Sequence, residues 1–331
     1  MIDPNALLET VNRLGSSLRL ETSRCLRMRF FKNACRQCVD ICPAEGAIEV
    51  EPALVLRHDV CTECMLCVST CVNEAIEVKY TDFSLMVKQL REVEQPVLGC
   101  TIRAGEVKCH ASVPCVGFLS TEHLIALGHF VKKPVQLNLT RCADCRNAPA
   151  LEVLRQRIKE IGPAAGELQL IDDPAQLRFQ EKAVGRRGLF TFFREKATEE
   201  TARMFHQLHG ESSQSLSYSD KRLPFKRHLL NQVEKQQRAG EVDPVVARAY
   251  YGARVTENCN VCSACSAICP TGALIMEDDN ESGLRRLSFA STLCTGCGVC
   301  AEFCPKLAIG IFGLREGSVE LEVVVLAEEN P

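Results

Sequence analysis

The sequence contains no tryptophan, which removes the largest apolar side chain from any core, and phenylalanine and tyrosine bring the aromatic share to only 5%. No apolar run approaches the roughly 18 residues of a membrane-crossing helix, so no span is expected. Neither sign of charge dominates. The net charge of −3 gives no electrostatic case for nucleic acid or an anionic membrane as a partner. Residues 1–24 hold an amphipathic stretch (Leu7, Leu8, Val11, Leu14, Leu18) without the uninterrupted apolar segment of an export signal. Arg186-Arg187-Gly188-Leu189-Phe190 has the look of a twin-arginine export motif. It lies deep in the chain, and charged Phe192-Phe193-Arg194-Glu195-Lys196 follows it, so it reads as a basic helix start. Nucleotide signatures are missing too: there is no G-x-G-x-x-G and no G-x4-G-K-[ST].

What the chain does have is 21 cysteines in 331 residues. Cys61, Cys64, Cys67 and Cys71 are spaced C-x2-C-x2-C-x3-C. Cys259, Cys262, Cys265 and Cys269 repeat that spacing, and so do Cys294, Cys297, Cys300 and Cys304. Cys35, Cys38 and Cys42 keep the last three positions, with Cys25 upstream as a displaced first member. The C-x3-C-x2-C triplet of radical enzymes that use S-adenosylmethionine is absent. So many thiols without an export signal point to a reducing cytoplasm, where disulfides are rare. Zinc sites show separated C-x2-C pairs rather than triplets followed by a fourth cysteine.

Each pair of runs resembles the bacterial two-cluster ferredoxin, in which three cysteines hold one cubane and the fourth crosses to its neighbour. The resemblance implies four [4Fe-4S] clusters. One takes Cys25, Cys35, Cys38 and Cys71, and its partner takes Cys61, Cys64, Cys67 and Cys42. In the C-terminal pair, one takes Cys259, Cys262, Cys265 and Cys304, and the other Cys294, Cys297, Cys300 and Cys269. After each fourth cysteine comes a small apolar strand: Ala47–Val50, Ala75–Val78, Ala273–Met276 and Ala308–Ile311. Residues 53–58 and 284–290 supply opposing strands, the latter after a turn at Asp278–Gly283. Modules this small carry too little aliphatic core to stand alone, so clusters would staple them. Arg24, Arg27, Arg29, Lys32 and Arg36 form an acid-free basic run, read either as cations raising a cluster's potential or as a solvated or docking face.

Between the modules the pattern changes. Residues 82–92 read as a helix, Pro96–Cys100 as a strand, and Val107–Cys109 and Val113–Cys115 as strand endings. A helix capped at Ser120, a strand at Val135–Leu139, a helix carrying Leu151, Leu154, Ile158 and Ile161, and a strand at Leu168–Ile171 follow. This alternation predicts a small α/β layer with a parallel sheet. Cys100, Cys115, Cys142 and Cys145 could converge at one edge of it as a fifth metal or Fe-S site. Cys109 with His110 reads as structural. Val113-Pro114-Cys115-Val116-Gly117 before a helix resembles the delta subunit of methyl-viologen-reducing hydrogenase, which implies a [2Fe-2S] cluster and electron relay between partners.

The expected fold class is α+β: two ferredoxin-like modules (1–82 and 253–331) flanking the α/β domain (83–177), with a charged helical connector (178–252). In the connector, Leu189, Phe193, Ala197, Met204 and Leu208 recur at helical spacing, as do Phe225, Leu229, Leu230 and Val233. The chemistry expected is one-electron transfer in a cytoplasmic complex. The chain would wire a catalytic subunit (a formate dehydrogenase, hydrogenase, or flavin, molybdenum or tungsten enzyme) to a soluble carrier, with the middle domain as bridge or branch. The alternative is a redox enzyme whose own active site is the middle cysteine cluster; a structural or sensing module is a third reading.

Overall fold

The structure, a computed structural model, describes residues 17–79, 81–103, 105–181, 217–237, 243–278, 283–314 and 323–329. The expected turn between Asp278 and Gly283, the helix from Leu189 to Leu208 with its basic start at Arg186, and the stretch from Leu7 to Leu14 fall wholly or mostly outside these residues.

The first module is made of short elements. Strand β1 (Leu18–Leu20) pairs antiparallel with β4 (Ile76–Val78), and β2 (Ile48–Glu49) pairs with β3 (Val55–Leu56). Between them lie three helices of one turn each, α1 (Leu26–Arg29), α2 (Gln37–Asp40) and α3 (Leu66–Thr70). Helix α4 (Phe83–Arg91) then starts where Asp82 accepts a hydrogen bond from the Leu85 amide. Its apolar face, Phe83, Met86, Val87 and Leu90, is buried, as residues at this spacing must be when one side of a helix meets a core.

Four parallel strands follow: β5 (Val97–Cys100), β6 (Ala111–Val113), β7 (Val135–Asn138) and β8 (Leu168–Ile171), in the order β6-β5-β7-β8. Helices α5 (Thr121–Val131) and α6 (Pro149–Ile161) make the crossovers. Ser120 caps α5, its hydroxyl accepting from the His123 amide. The chain steps from β5 to β6 on one side and returns past β5 to β7, so strand order reverses at β5. The crevice outside the strand ends at such a reversal is where sheets of this kind place their sites. Residues 107–109 are not a strand ending, contrary to their sequence pattern. They cross the sheet, with the Lys108 carbonyl accepting from the Asn138 amide group, and the strand begins at Ala111 instead.

Helices α7 (Phe225–Gln237) and α8 (Pro244–Arg248) come next. Leu229, Leu230, Val233 and Val246 join the core that already contains Leu66, Leu90, Leu124 and Leu137, so one apolar body runs from the first module through the sheet to these helices. The C-terminal module has β9 (Tyr251–Val255) paired with β12 (Ile309–Gly313), and β11 (Arg285–Ala290) between β10 (Leu274–Asp278) and β13 (Val323–Glu329). Two one-turn helices, α9 (Ala264–Ile268) and α10 (Val299–Phe303), complete it. Its separate core is built on Leu274, Leu287, Phe289 and Val299, and Leu26 of the first module is buried in that cluster.

Candidate iron-sulfur sites

The three regular cysteine loops share an unusual backbone. The second residue after the first cysteine is left-handed in each: Glu63 (φ 56°), Val261 (φ 47°) and Gly296 (φ 70°). So is the residue after the second cysteine, Met65 (φ 65°), Ser263 (φ 64°) and Gly298 (φ 73°). A left-handed non-glycine residue costs about 1–2 kcal/mol, so the strain has to serve something. It turns backbone N–H groups back onto sulfur. The Glu63 amide donates to Cys61 Sγ and the Gly296 amide to Cys294 Sγ, both at 3.4 Å. After the fourth cysteine, the Ala75 amide donates to Cys71 Sγ (3.2 Å) and the Ala308 amide to Cys304 Sγ (3.3 Å). Such donors favour the thiolate, which is the form that binds metal.

All 21 cysteines are free thiols, and they gather into sets. Cys25, Cys35, Cys38 and Cys71 lie within reach of one another's charge, and so do Cys42, Cys61, Cys64 and Cys67. Cys269, Cys294, Cys297 and Cys300 line one small pocket. Cys259, Cys262, Cys265 and Cys304 line another. Burial and then the neighbouring thiols push Cys38 and Cys294 up to about 12, while burial, only partly offset by the Ser266 amide, takes Cys265 to about 11. Cys67 and Cys300 are raised well above the ordinary thiol range by burial and then by their neighbouring thiols. Crowded, buried thiols of this kind stay protonated until a cation replaces their protons. Among the described residues, no three His, Cys, Asp or Glu side chains close on a point as a single ion requires. Sets of four thiols are the donors that a [4Fe-4S] cluster takes.

A fifth set sits at the C-terminal edge of the parallel sheet. Cys100 ends β5, Cys115 follows β6, and Cys142 and Cys145 lie in the turn after β7. Together they line a small cavity with Arg103 and Arg141 at its wall. Burial raises Cys142, reinforced by Cys100, Cys115 and Cys145, to about 12. Burial raises Cys115 to about 11 against the Gly117 amide. Cys109 stands apart from that cavity, packed on Gly99, and His110 accepts from the Val97 amide through Nδ1.

Comparison with known proteins agrees with this geometry. A family model described as a 4Fe-4S dicluster domain matches residues 258–308, and one described as a 4Fe-4S binding domain matches residues 22–45 and 58–72. A ferredoxin of Methanothermococcus thermolithotrophicus is 44% identical over 46 residues, which is 14% of this chain and 77% of that ferredoxin. The chain belongs to the ferredoxin family. Neither family match reaches residues 95–160, and the likeness of that stretch to the hydrogenase delta subunit finds no support in them.

The ferredoxin modules touch each other directly, so of the two expected roles for the middle domain, bridge or branch, the bridge is not needed to bring them together. Arg29 donates through Nε to the Ile268 carbonyl (3.0 Å), Asn33 donates to Glu302 (2.7 Å), and Phe30 meets Phe303 edge-on at 5.2 Å. Asn73, two residues after Cys71, accepts from the Thr295 hydroxyl (2.8 Å). The basic run is accordingly solvated only in part: Lys32 and Arg36 are exposed, whereas Arg24 and Arg29 are engaged. Arg24 is buried and paired with Glu77 and Glu74, and Arg29 carries much of the junction. The fifth set adjoins the other side of the first module. Asn147 donates to the Thr62 carbonyl (3.2 Å), and Gly117 lies so close to Cys64 that a Cβ there would sit 2.1 Å from its carbonyl oxygen. Glycine is required at that contact.

Sequence reasoning missed several residues around the ferredoxin sites. Lys226 is buried and donates to the carbonyls of Val68, Ser69 and Cys71. Lys221 donates to those of Ser266, Ala267 and Cys269. No local signal marks either lysine, since both act on segments far away in the chain.

Proposed function

We propose that this chain is an electron-transfer subunit with four [4Fe-4S] clusters and a further Fe-S or metal centre at Cys100, Cys115, Cys142 and Cys145. Clusters held by these thiolates would supply reversible one-electron transfer. The observation that carries the reading is that each set of thiols adjoins another. Cys115 lies within reach of Cys64's charge, and Cys67 within reach of Cys38's. Across the junction, Arg29 lies within reach of Cys269 and Cys297, and Asn73 accepts from the Thr295 hydroxyl in the loop that carries Cys297. The order supported is therefore linear: the parallel-sheet edge, then the set of Cys42 and Cys61–Cys67, then that of Cys25, Cys35, Cys38 and Cys71. After these come the set of Cys269 and Cys294–Cys300 and finally that of Cys259–Cys265 with Cys304. The middle domain stands at one end of this line. That position suits exchange with a catalytic partner such as a formate dehydrogenase, hydrogenase, or flavin, molybdenum or tungsten enzyme. The C-terminal end then suits a soluble carrier. No helix among the described residues is long and apolar enough to cross a membrane; we place the work in the cytoplasm.

The second reading, an enzyme with its active site in the middle domain, draws on the cavity at that sheet edge. The two readings separate on the purified chain. A relay passes electrons from dithionite to a viologen or cytochrome acceptor and turns over no small substrate. Substrate turnover abolished by Cys142→Ser, with the other four centres intact, would establish the enzyme instead.

A further inference from the structure

Lys221 and Lys226 do the same thing to the two ferredoxin modules. The ammonium of Lys226 donates to carbonyls at 3.2, 3.0 and 2.7 Å (Val68, Ser69, Cys71) at the C-terminal end of α3. That of Lys221 donates at 3.0, 2.7 and 2.8 Å (Ser266, Ala267, Cys269) at the end of α9. The three acceptors occupy the same three positions of the repeat in both cases. A cation on the last carbonyls of a helix is ordinarily a cap. Here the cap falls on the fourth cysteine of its loop, the one whose thiol leaves for the neighbouring set. Those two sets, of Cys71 and of Cys269, face each other across the module junction through Asn73 and Arg29. The strap between the lysines is itself pinned there, as Arg222 donates to the Pro270 carbonyl and the amides of Phe225 and Lys226 donate to the Glu74 carboxylate.

We propose that Lys221 and Lys226 are a matched pair of potential-setting residues, each raising the reduction potential of one of the two junction clusters so that an electron crosses between modules without a large step. This rests on the cluster reading above. A cubane with four thiolates is a net anion, and adding an electron to it is easier beside a fixed cation. The step is one electron lost by the centre at Cys71 and gained by the centre at Cys269, or the reverse, with no bond made and no proton moved. The two lysines differ in setting. Lys226 is only 4% exposed, whereas Lys221 lies on the surface. Salt screens exposed charges far more than buried ones. Lys226 therefore exerts the larger and salt-independent effect, and Lys221 a smaller one that shrinks as ionic strength rises.

The test is an EPR-monitored redox titration of the full chain, loaded with iron, in four forms: unmodified, Lys221→Gln, Lys226→Gln and Lys226→Arg. Each glutamine variant is expected to lower one midpoint potential, and the two are expected to affect different clusters. For Lys226→Gln the reduced-to-oxidised ratio at fixed potential falls roughly tenfold, about 59 mV for a one-electron couple. Lys226→Arg restores the original value. Unmoved midpoints with full iron, or an arginine variant shifted as far as the glutamine one, would overturn the pairing. Should Lys226→Gln lose iron on folding, the surface variant Lys221→Gln makes the same test at low salt. An unmodified chain without iron would overturn the cluster reading instead, a separate outcome.

Discussion

The loop from Cys294 to Cys304 and the segment from Cys25 to Cys42 each place thiols around a centre, but with different lengths of chain. The regular loop spaces its first two cysteines by two residues and bends at Gly296 and Gly298. The irregular one inserts nine residues between Cys25 and Cys35, and Arg36, which follows Cys35, is not left-handed (φ −132°). The inserted residues are not idle. Leu26, Arg29, Phe30 and Asn33 all belong to it, and all reach the C-terminal module. A departure that looks like decay of a repeat is, in three dimensions, the dock that joins two ferredoxin modules. The lesson is that a broken spacing can mark where a repeat acquired a contact.

Removing iron should break this comparison most severely. The regular and irregular loops alike depend on their centres, so an anaerobic chelator should unfold both modules, while the parallel sheet with Leu124, Leu127, Leu137 and Leu154 buried keeps its structure. Far-UV circular dichroism with hydrogen exchange checks this, and protection from exchange should be lost outside residues 97–171 first. Next in size is the dock itself. The double variant Phe30→Ala, Asn33→Ala should cost about 2–3 kcal/mol, the lower side of a core aromatic truncation because Phe30 is half-buried. Calorimetry should then show the C-terminal module melting separately with its iron retained.

Acid should separate the two cores. His123 is buried against Phe118 and Phe83, and burial followed by the nearby Lys226 charge holds its ring down to about 3. An unfolded histidine titrates near 6.5, so between about 6.5 and 3 the unfolded chain binds the extra proton and stability falls as pH falls. One pH unit below 6.5 should cost the N-terminal core about 1.4 kcal/mol. Urea midpoints at pH 7.5 and 5.5 should show that loss, and His123→Gln should remove the slope. The smallest effect compares two regular loops. Ser263 and Gly298 occupy the same left-handed position, and a Cβ at Gly298 meets nothing within 4 Å. Ser263→Gly should therefore stabilise, and Gly298→Ser destabilise, by about 1 kcal/mol each, as read from thermal melting.

Much of the local structure was legible in the sequence. The small apolar stretches that begin at Ala47, Ala75, Ala273 and Ala308, after the fourth cysteines, form strands, Asp82 and Ser120 do cap helices, and Cys100, Cys115, Cys142 and Cys145 do share one edge. Those features are written in patterns a few residues long. The partner strands β1 and β9, the buried Arg24 and the two strap lysines were not legible. Lys221 and Lys226 contact residues 45–48 and 155–158 positions away, and in a charged segment nothing local separates them from solvated lysines. The module junction was hidden for the same reason, since Arg29 and Ile268 are 239 positions apart.

The most direct test of the account is a count of iron and acid-labile sulfide on anaerobically prepared chain, joined to EPR after reduction. Four cubanes predict about 16 iron atoms per chain, and a [2Fe-2S] centre at the sheet edge would add about two. A fully folded chain that is colourless, or that holds only zinc, would contradict it.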